Sequence, residues 1–136
     1  MKKSYNLLAM NYRVEPTEVT PLIDFSSDTG ELKITGKSFW EDVNSVYDPA
    51  IKWLKDNYIT NPPASTTLVV ELQYFNTATA KLLLDIFGVL EELLEKGKTA
   101  KVEWRYLEID EDLEEAGEDY KVMTKLPIEL VALEDD

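Results

Sequence analysis

Three stretches of the chain alternate apolar and polar residues with a period of two, which is the pattern of strands with one buried face. They are residues 22–36, 68–75 and 100–107. The first contains Ser-Ser-Asp-Thr-Gly at 26–30, a turn-forming sequence that divides it into the two strands of a hairpin. A final apolar run at 127–133 predicts a fifth strand.

Three further stretches carry apolar residues at the spacing of one helix face. In residues 43–58 the pair Asp48 and Pro49 resembles an N-cap and a first helical residue, so that either two short helices meet here or one helix kinks. Residues 77–96 end in a lysine followed by glycine, the usual end of a helix, and predict a long helix. An acidic helix is predicted at 110–122.

The predicted order of elements is β-β-α-β-α-β-α-β. Helices that connect strands favour parallel pairing through right-handed crossovers. Polar residues such as Glu71 and Lys101 lie opposite the apolar stripes, so one face of the sheet is expected to stay partly exposed and is a candidate docking surface. We therefore predict an α/β fold, borderline to α+β, with an open mixed sheet of four to five strands and helices mainly on one face.

We expect a single domain over residues 1–136, because this length allows one sizeable core and the chain shows no linker. Residues 11–20 have no sustained period, so residues 1–20 are predicted to form an N-terminal extended arm, with a short edge strand at the start of 11–20. The core is expected at 21–133. The apolar run at 7–10 is too short for a signal peptide or a membrane span, so no membrane insertion and a cytoplasmic location are expected.

The amino-acid composition excludes several kinds of partner, catalytic site and metal site. The chain has 14 basic and 27 acidic residues, a net charge of −13, so nucleic acid and anionic membranes are not expected partners. It has no His and no Cys, which excludes a Ser-His-Asp triad, a thiol nucleophile, a disulfide and a zinc site built from imidazoles or thiolates. We predict no metal and no cofactor, and any catalysis would have to use carboxylates, hydroxyls or lysines.

The junction between the strand at 68–75 and the long helix is the first candidate site. Asn76 suits the N-cap position, because its side-chain oxygen can accept a hydrogen bond from an N–H of the first turn. A helix N-terminus favours negative charge, so a phosphate on the hydroxyl of Thr77, or of Thr79 as the second candidate, would be accommodated there. The alternative is that both threonines belong only to an ordinary capped helix start.

Residues 103–119 contain nine acidic residues and one basic residue. A calcium-binding loop is excluded, because glycine and glutamate are missing from its sixth and twelfth positions. The stretch is either a solvated helix face or a docking surface for a basic partner, with Asp110, Glu111 and Asp112 as the candidate contacts. An enzyme with paired carboxylates would need two of them at a controlled separation, which nothing in the pattern indicates.

Most aromatic residues fall on the apolar stripes and are core by default. Trp40 differs from them, because it fits no stripe, follows the hairpin and precedes two acidic residues. It is therefore a candidate for an exposed ring that contacts a partner. The rings expected in the core are Phe39, Trp53, Tyr58, Tyr74, Phe75, Trp104 and Tyr106.

Three runs of the chain, at 28–38, 47–54 and 72–81, resemble a family of bacterial proteins. The most specific part is Tyr-Phe-Asn-Thr followed by small residues and Lys in the third run. Together they look like the SiaC family of biofilm-regulation phosphoproteins, over residues 20–133. That family resembles the STAS (anti-anti-sigma) domains in layout, which implies a one-sided sheet with a phosphorylatable hydroxyl at a strand-to-helix junction.

The resemblance implies a signalling switch and no enzyme. A threonine that matches Thr77 would be phosphorylated by an anti-sigma-type Ser/Thr kinase and dephosphorylated by a PP2C-type phosphatase. The unphosphorylated form would bind and activate a diguanylate cyclase and so raise cyclic di-GMP. In the matched run, Tyr74, Phe75 and Lys81 flank the junction and are further candidates for partner contact.

Two other interpretations are open. One is an anti-anti-sigma-like binding module that acts on a different partner, since STAS proteins typically have Asp-Ser-Ser/Thr-Gly at the junction, where residues 76–79 read Asn-Thr-Ala-Thr. The other is a STAS-like domain that senses a small ligand, although the chain has no glycine-rich phosphate loop. A kinase, a PP2C-type phosphatase or a cyclase encoded by neighbouring genes would favour the switch.

Overall fold

The computed structural model describes residues 11–134. They form six strands and three α-helices, the first of which continues directly into a π-helical turn. In chain order the elements are β1 Asn11–Val14, β2 Leu22–Ser26, β3 Glu31–Ser38, α1 Asn44–Trp53, the π-turn Leu54–Tyr58, β4 Ser65–Phe75, α2 Thr77–Glu95, β5 Thr99–Leu107, α3 Glu111–Met123 and β6 Ile128–Leu133.

All six strands belong to one mixed sheet, in the order β1-β2-β3-β4-β5-β6. The pairs β1–β2 and β2–β3 are antiparallel, and the other three pairs are parallel. The mixed α/β class is confirmed, but the predicted count of four to five strands is wrong. The sixth strand is β1, in the extended arm predicted at 1–20, of which residues 1–10 lie outside the described part.

The helices cover one face of the sheet. Side chains that point to this face are buried along every central strand, for example Ile34, Leu68 and Trp104, each at most 1% exposed. The opposite face carries charged side chains in ion pairs, such as Arg105 with both Glu103 and Glu71. The expected one-sided sheet is therefore present. Within residues 11–134, no helix combines the length and the apolar character that a membrane crossing requires.

The parallel strands β3 to β6 all end at the same edge of the sheet, which we call the carboxyl edge. Ser38, Phe75 and Leu107 are the last residues of β3, β4 and β5 there. Because each helix follows a strand, α1, α2 and α3 all begin near this edge. The carboxyl edge thus brings together residues that are far apart in sequence.

The helix α1 runs through Pro49, so of the two arrangements that the sequence left open, two short helices that meet with Asp48 as an N-cap do not occur. Pro49 has no N–H to donate to the carbonyl of Ser45, and its ring crowds that carbonyl. Five residues of α1 precede Pro49, so this disturbance is confined to the first turn of the helix. The helix then widens into the π-turn, which the Ile59 N–H closes on the carbonyl of Leu54 at 2.9 Å.

A bulge near the end of β4 reverses which side chains point into the core. Leu72 pairs with Gly36 and Tyr74 pairs with Lys37, so β4 has one extra residue, Gln73, between two neighbouring residues of β3. Phe75 therefore faces the helices, whereas Tyr74 is 63% exposed. The expectation that Tyr74 continues the core stripe is wrong, because alternation holds only where the register does not shift.

Candidate functional site

Thr77 is the first residue of α2 and is exposed at the carboxyl edge. The N-cap is Asn76, as predicted, and its Oδ1 accepts a hydrogen bond from the Thr79 N–H at 2.9 Å. The Asn76 N–H donates to the carbonyl of Ser38 at 3.1 Å, which ties the helix start to the end of β3. The Thr77 hydroxyl thus lies on a rigidly held turn that is open to solvent.

Thr79, the second candidate acceptor, is 0% exposed. Its Oγ1 donates to the carbonyl of Ser38 at 2.9 Å, and lies 2.8 Å from Ser38 Oγ, which in turn is 3.0 Å from the Tyr47 hydroxyl. Since each hydroxyl has one proton, the consistent direction is Tyr47 to Ser38 to Thr79 to the Ser38 carbonyl. Burial raises the pKa of Tyr47, so this chain of donors stays protonated.

Three exposed aromatic residues lie at the carboxyl edge, where α2 begins with Thr77. Phe39 and Trp40 follow β3, and Tyr74 is one of the last residues of β4, with the rings of Phe39 and Tyr74 5.2 Å apart. Trp40 is 40% exposed, as predicted, and its carbonyl accepts a hydrogen bond from Asn76 Nδ2 at 3.3 Å. The expectation that Phe39 is a core residue is wrong, since it is 38% exposed.

An apolar groove of about 240 Å³ runs from Thr77 between α2 and α3. Phe75 closes one end and packs edge-on against Trp104, with the ring centroids 6.0 Å apart. Tyr120 forms part of the floor; its hydroxyl donates to the Ala80 carbonyl at 2.9 Å, and burial raises its pKa to about 12. The lining residues are Phe75, Thr77, Ala80, Lys81, Leu84, Ala116, Asp119, Tyr120 and Met123.

The acidic candidates lie at the same edge, around the start of α3. Asp110 is the N-cap of this helix, its Oδ1 accepting from the Leu113 N–H at 3.0 Å, whereas Glu111 and Asp112 are exposed in the first turn. They border a shallow cavity of about 380 Å³ together with Ile109, which is 70% exposed. In the described range 11–134 no group of acidic residues is arranged to hold a metal ion.

The carboxyl edge therefore combines an exposed hydroxyl, exposed aromatic rings, an apolar groove and a negatively charged rim. Sequence patterns missed Phe39 and Ile109 as exposed residues. Phe39 has the same signal as Trp40, because it too lies between the end of β3 and two acidic residues. Exposed rings next to a modifiable hydroxyl suit a protein-binding surface whose charge can be changed covalently.

The chain resembles known proteins in sequence and in structure. A sequence relative from Pseudomonas aeruginosa strain UCBPP-PA14, described as an uncharacterized protein, is 26% identical over 116 residues, covering 85% of this chain and 91% of the relative. The crystal structure of apo-SiaC from P. aeruginosa matches with a TM-score of 0.80 at 24% identity, covering 90% of this chain and 98% of SiaC.

A second SiaC structure, solved in complex with the diguanylate cyclase SiaD that it activates, matches with a TM-score of 0.82 at 24% identity, covering 90% of this chain and 99% of SiaC. These matches support the fold. The family model of SiaC family regulatory phosphoproteins matches residues 14–133, nearly the whole described part. The expected class, a regulatory signalling protein that is not itself an enzyme, is thereby confirmed. The chain belongs to the SiaC family of regulatory phosphoproteins.

Proposed function

We propose that this protein is a switch whose partner binding is controlled by phosphorylation of Thr77. In the unphosphorylated form, the carboxyl edge binds and activates a diguanylate cyclase. An anti-sigma-type Ser/Thr kinase adds the phosphate, and a PP2C-type phosphatase removes it. The observation that carries the proposal is the exposure of Thr77 beside Trp40 and Tyr74 in a chain of a phosphoprotein family.

The choice of Thr77 over Thr79 rests on accessibility. A kinase must reach the hydroxyl oxygen, and Thr77 is exposed, whereas Thr79 is fully buried with its hydroxyl bound to Ser38. The first turn of α2 also tolerates the added charge, because its free N–H groups and the helix dipole favour an anion. Lys81 lines the same groove four residues further along α2, a spacing that would let its ammonium group pair with the phosphate.

A phosphate on Thr77 is expected to weaken partner binding because Thr77 lines the apolar groove. Thr77 lines it together with apolar side chains, so a partner side chain that enters the groove would contact Thr77. A phosphate with a charge of about −1.5 to −2 at this position would have to lose water when the partner docks. Such desolvation costs a few kcal/mol, and each 1.4 kcal/mol weakens binding about tenfold.

The nature of the partner is supported by the relatives. SiaC of P. aeruginosa has been solved in complex with a diguanylate cyclase, of which it is the activator. The cyclase, kinase and phosphatase for this chain are best sought among proteins encoded by neighbouring genes. The acidic rim formed by Asp110, Glu111 and Asp112 suits a partner with a basic patch beside its apolar contact residues.

Mass spectrometry of the protein purified from its native cells, with phosphopeptide mapping, tests the modified residue. We expect the phosphate on Thr77. A phosphate on Thr79, or on neither threonine, would contradict the assignment.

Titration of variants against the cyclase then tests the switch. Thr77→Ala should bind as the unmodified protein does, whereas Thr77→Asp should melt normally and bind at least about tenfold more weakly. Thr99→Asp adds the same charge at the opposite edge of the sheet, where β5 begins, and should bind normally. If the phosphorylated protein and Thr77→Asp both bind like wild type, the carboxyl edge is not the contact surface.

A further inference from the structure

Asn76 differs from other good N-cap residues in using both ends of its side chain. Its Oδ1 accepts from the Thr79 N–H, which is the capping bond, and its Nδ2 donates to the Trp40 carbonyl. Serine, threonine and aspartate could make the first bond, but a carboxylate has no N–H with which to make the second. The amide therefore joins two segments that are 36 residues apart in sequence.

Trp40 lies in the connection between β3 and α1, and two hydrogen bonds hold its backbone. Its N–H donates to the Val19 carbonyl at 3.1 Å, and its carbonyl accepts from Asn76 Nδ2 at 3.3 Å. Its side chain is 40% exposed, so packing fixes the ring only in part. Loss of the bond to Asn76 would leave the Trp40 backbone with the bond to the Val19 carbonyl, which also accepts from the Phe39 N–H at 3.0 Å.

We propose that Asn76 is a positioning residue that fixes Trp40 at a set distance from Thr77 within the partner-binding surface. The bond to the Trp40 carbonyl holds the backbone that carries the ring, and the capping bond holds the turn that carries Thr77. A partner then meets the ring and the hydroxyl as one preorganised unit, which lowers the entropy lost on binding. The effect on binding rests on the proposed switch, whereas the effect on Trp40 does not.

The variant Asn76→Asp separates the two bonds. Aspartate still accepts from the Thr79 N–H, and its charge suits a helix N-terminus, so α2 stays capped. It cannot donate to the Trp40 carbonyl, and its oxygen repels that carbonyl. The variant Thr77→Asp is the matched control, because it adds the same charge one residue later and leaves the amide intact. If Asn76→Asp fails to fold, Asn76→Ser takes its place, because serine also caps and lacks the amide.

Quenching of tryptophan fluorescence by acrylamide, a neutral quencher, reports Trp40 selectively. The other two tryptophans, Trp53 and Trp104, are 8% and 1% exposed. In Asn76→Asp the quenching constant of the accessible tryptophan should rise, with an upper limit of roughly 2.5-fold because Trp40 is already 40% exposed. The melting temperature and the quenching of Thr77→Asp should match wild type. Unchanged quenching in Asn76→Asp, or an equal rise in both variants, would overturn the proposal.

Binding to the cyclase distinguishes this inference from the proposed switch. Asn76→Ser, which adds no charge beside Thr77, should weaken binding to the cyclase by no more than Trp40→Ala does. The double variant of these two should bind no more weakly than Trp40→Ala alone, because coupled residues are not additive. If quenching rises but the Thr77 variants bind normally, Asn76 positions Trp40 and the switch is wrong. If quenching is unchanged while Thr77→Asp loses binding, the switch stands and the role of Asn76 is wrong.

Discussion

Thr77 and Thr79 are two residues apart and have opposite environments. The hydroxyl of Thr77 is exposed to solvent, whereas that of Thr79 is the third member of a buried chain that begins at Tyr47 and passes through Ser38. One helical turn therefore offers a modifiable group and the structural anchor that keeps that group in place.

Replacing Thr79 with valine, which has nearly the same shape, removes the anchor. The buried oxygen of Ser38 then loses a partner, which should lower the free energy of unfolding by about 1–3 kcal/mol in urea titrations. Thr77→Val, the matched control, should change it by less than about 0.5 kcal/mol, as is usual for an exposed position. Equal losses in the two variants would contradict the assigned environments.

At the residue scale, the sequence was sufficient to predict features that depend only on residues nearby along the chain. The cap at Asn76 follows from residue type and from the start of an apolar helical repeat. The exposure of Tyr74 and the link from Asn76 to Trp40 could not be predicted, because each depends on a strand pairing or a loop position set by tertiary structure.

Packing of α3 against the sheet depends on Gly117, where the helix passes over β5 and β6. A Cβ added at Gly117 would lie 2.5 Å from Leu130 Cδ2 and 2.6 Å from Trp104 Cδ1. The leucine side chain can move, but the indole is buried, and its Nε1 donates to the Leu113 carbonyl at 2.8 Å. The absence of a side chain at this position lets α3 approach the sheet closely.

We therefore expect Gly117→Ala to destabilise the protein by about 1–3 kcal/mol, despite the better helix propensity of alanine. Gly88→Ala should have the opposite effect on stability. Gly88 is inside α2, and nothing lies within 4 Å of the added Cβ, so this variant should stabilise by about 0.5–1 kcal/mol. Urea unfolding of both variants checks this, and a stabilising Gly117→Ala would show that α3 is less tightly packed than described.

The end of α3 is joined to α2 through Glu91. Its Oε2 accepts from the Lys125 N–H and from the Thr124 hydroxyl, each at 2.7 Å. These two hydrogen bonds, the Lys125 N–H first, lower the pKa of Glu91 below its ordinary value of 4.5. Because the pKa is lower in the folded state, this contribution to stability is present above pH 4.5 and is lost as the pH falls through the lowered pKa.

Glu91→Gln should remove that part of the acid dependence. The expected loss at pH 7 is at most about 1 kcal/mol, because the group is largely open to solvent. Unfolding free energies between pH 7 and pH 3, measured for wild type, Glu91→Gln and the neighbouring control Glu92→Gln, test this. Parallel pH curves for wild type and Glu91→Gln would show that the bonds to residues 124 and 125 contribute nothing.

Element types could be predicted from periodicity, and most boundaries lie within a few residues of those in the structure. The strand predicted at 68–75 in fact begins at Ser65, and of the two arrangements left open at Pro49, the helix restart does not occur. Both outcomes have a tertiary cause. Residues 65–67 pair with residues 99–101 of β5, which extends the strand, and packing of α1 outweighs the local effect of proline.

On the scale of the whole molecule, the charge of −13 is unevenly placed. On the open face of the sheet, Arg105 pairs with Glu103 and Glu71, and Lys101 pairs with Glu129, whereas the first turn of α3 carries three acidic residues with no basic residue among them. We therefore expect the start of α3 to steer a basic partner towards the carboxyl edge.

The triple variant Asp110→Asn, Glu111→Gln, Asp112→Asn should slow association with the cyclase severalfold at low salt. The difference from wild type should shrink as ionic strength rises from about 0.01 M to 0.15 M, because the screening length falls from about 30 Å to about 8 Å. Asparagine at 110 can still cap α3. Stopped-flow or surface-binding kinetics measure the rates.

The matched control removes the same charge from α2, away from the edge, with Asp85→Asn, Glu92→Gln and Glu95→Gln. If this control slows association less than the first triple variant does, the acidic residues at the start of α3 are the ones that speed association. An equal effect in both triple variants would mean that only the net charge matters and that the acidic stretch is a solvated face.

The extra residue in β4 has a consequence for how the family diverges. Leu72 pairs with Gly36 and Tyr74 pairs with Lys37, so a homologue that lacks the residue at Gln73 would keep both pairs in a regular strand. Its tyrosine would still point outwards, and the phenylalanine that follows would still face the helices. A homologue of full length but without the bulge would instead turn the tyrosine inwards. A gap at residue 73 in an alignment is therefore compatible with an unchanged partner, whereas replacement of the tyrosine is not.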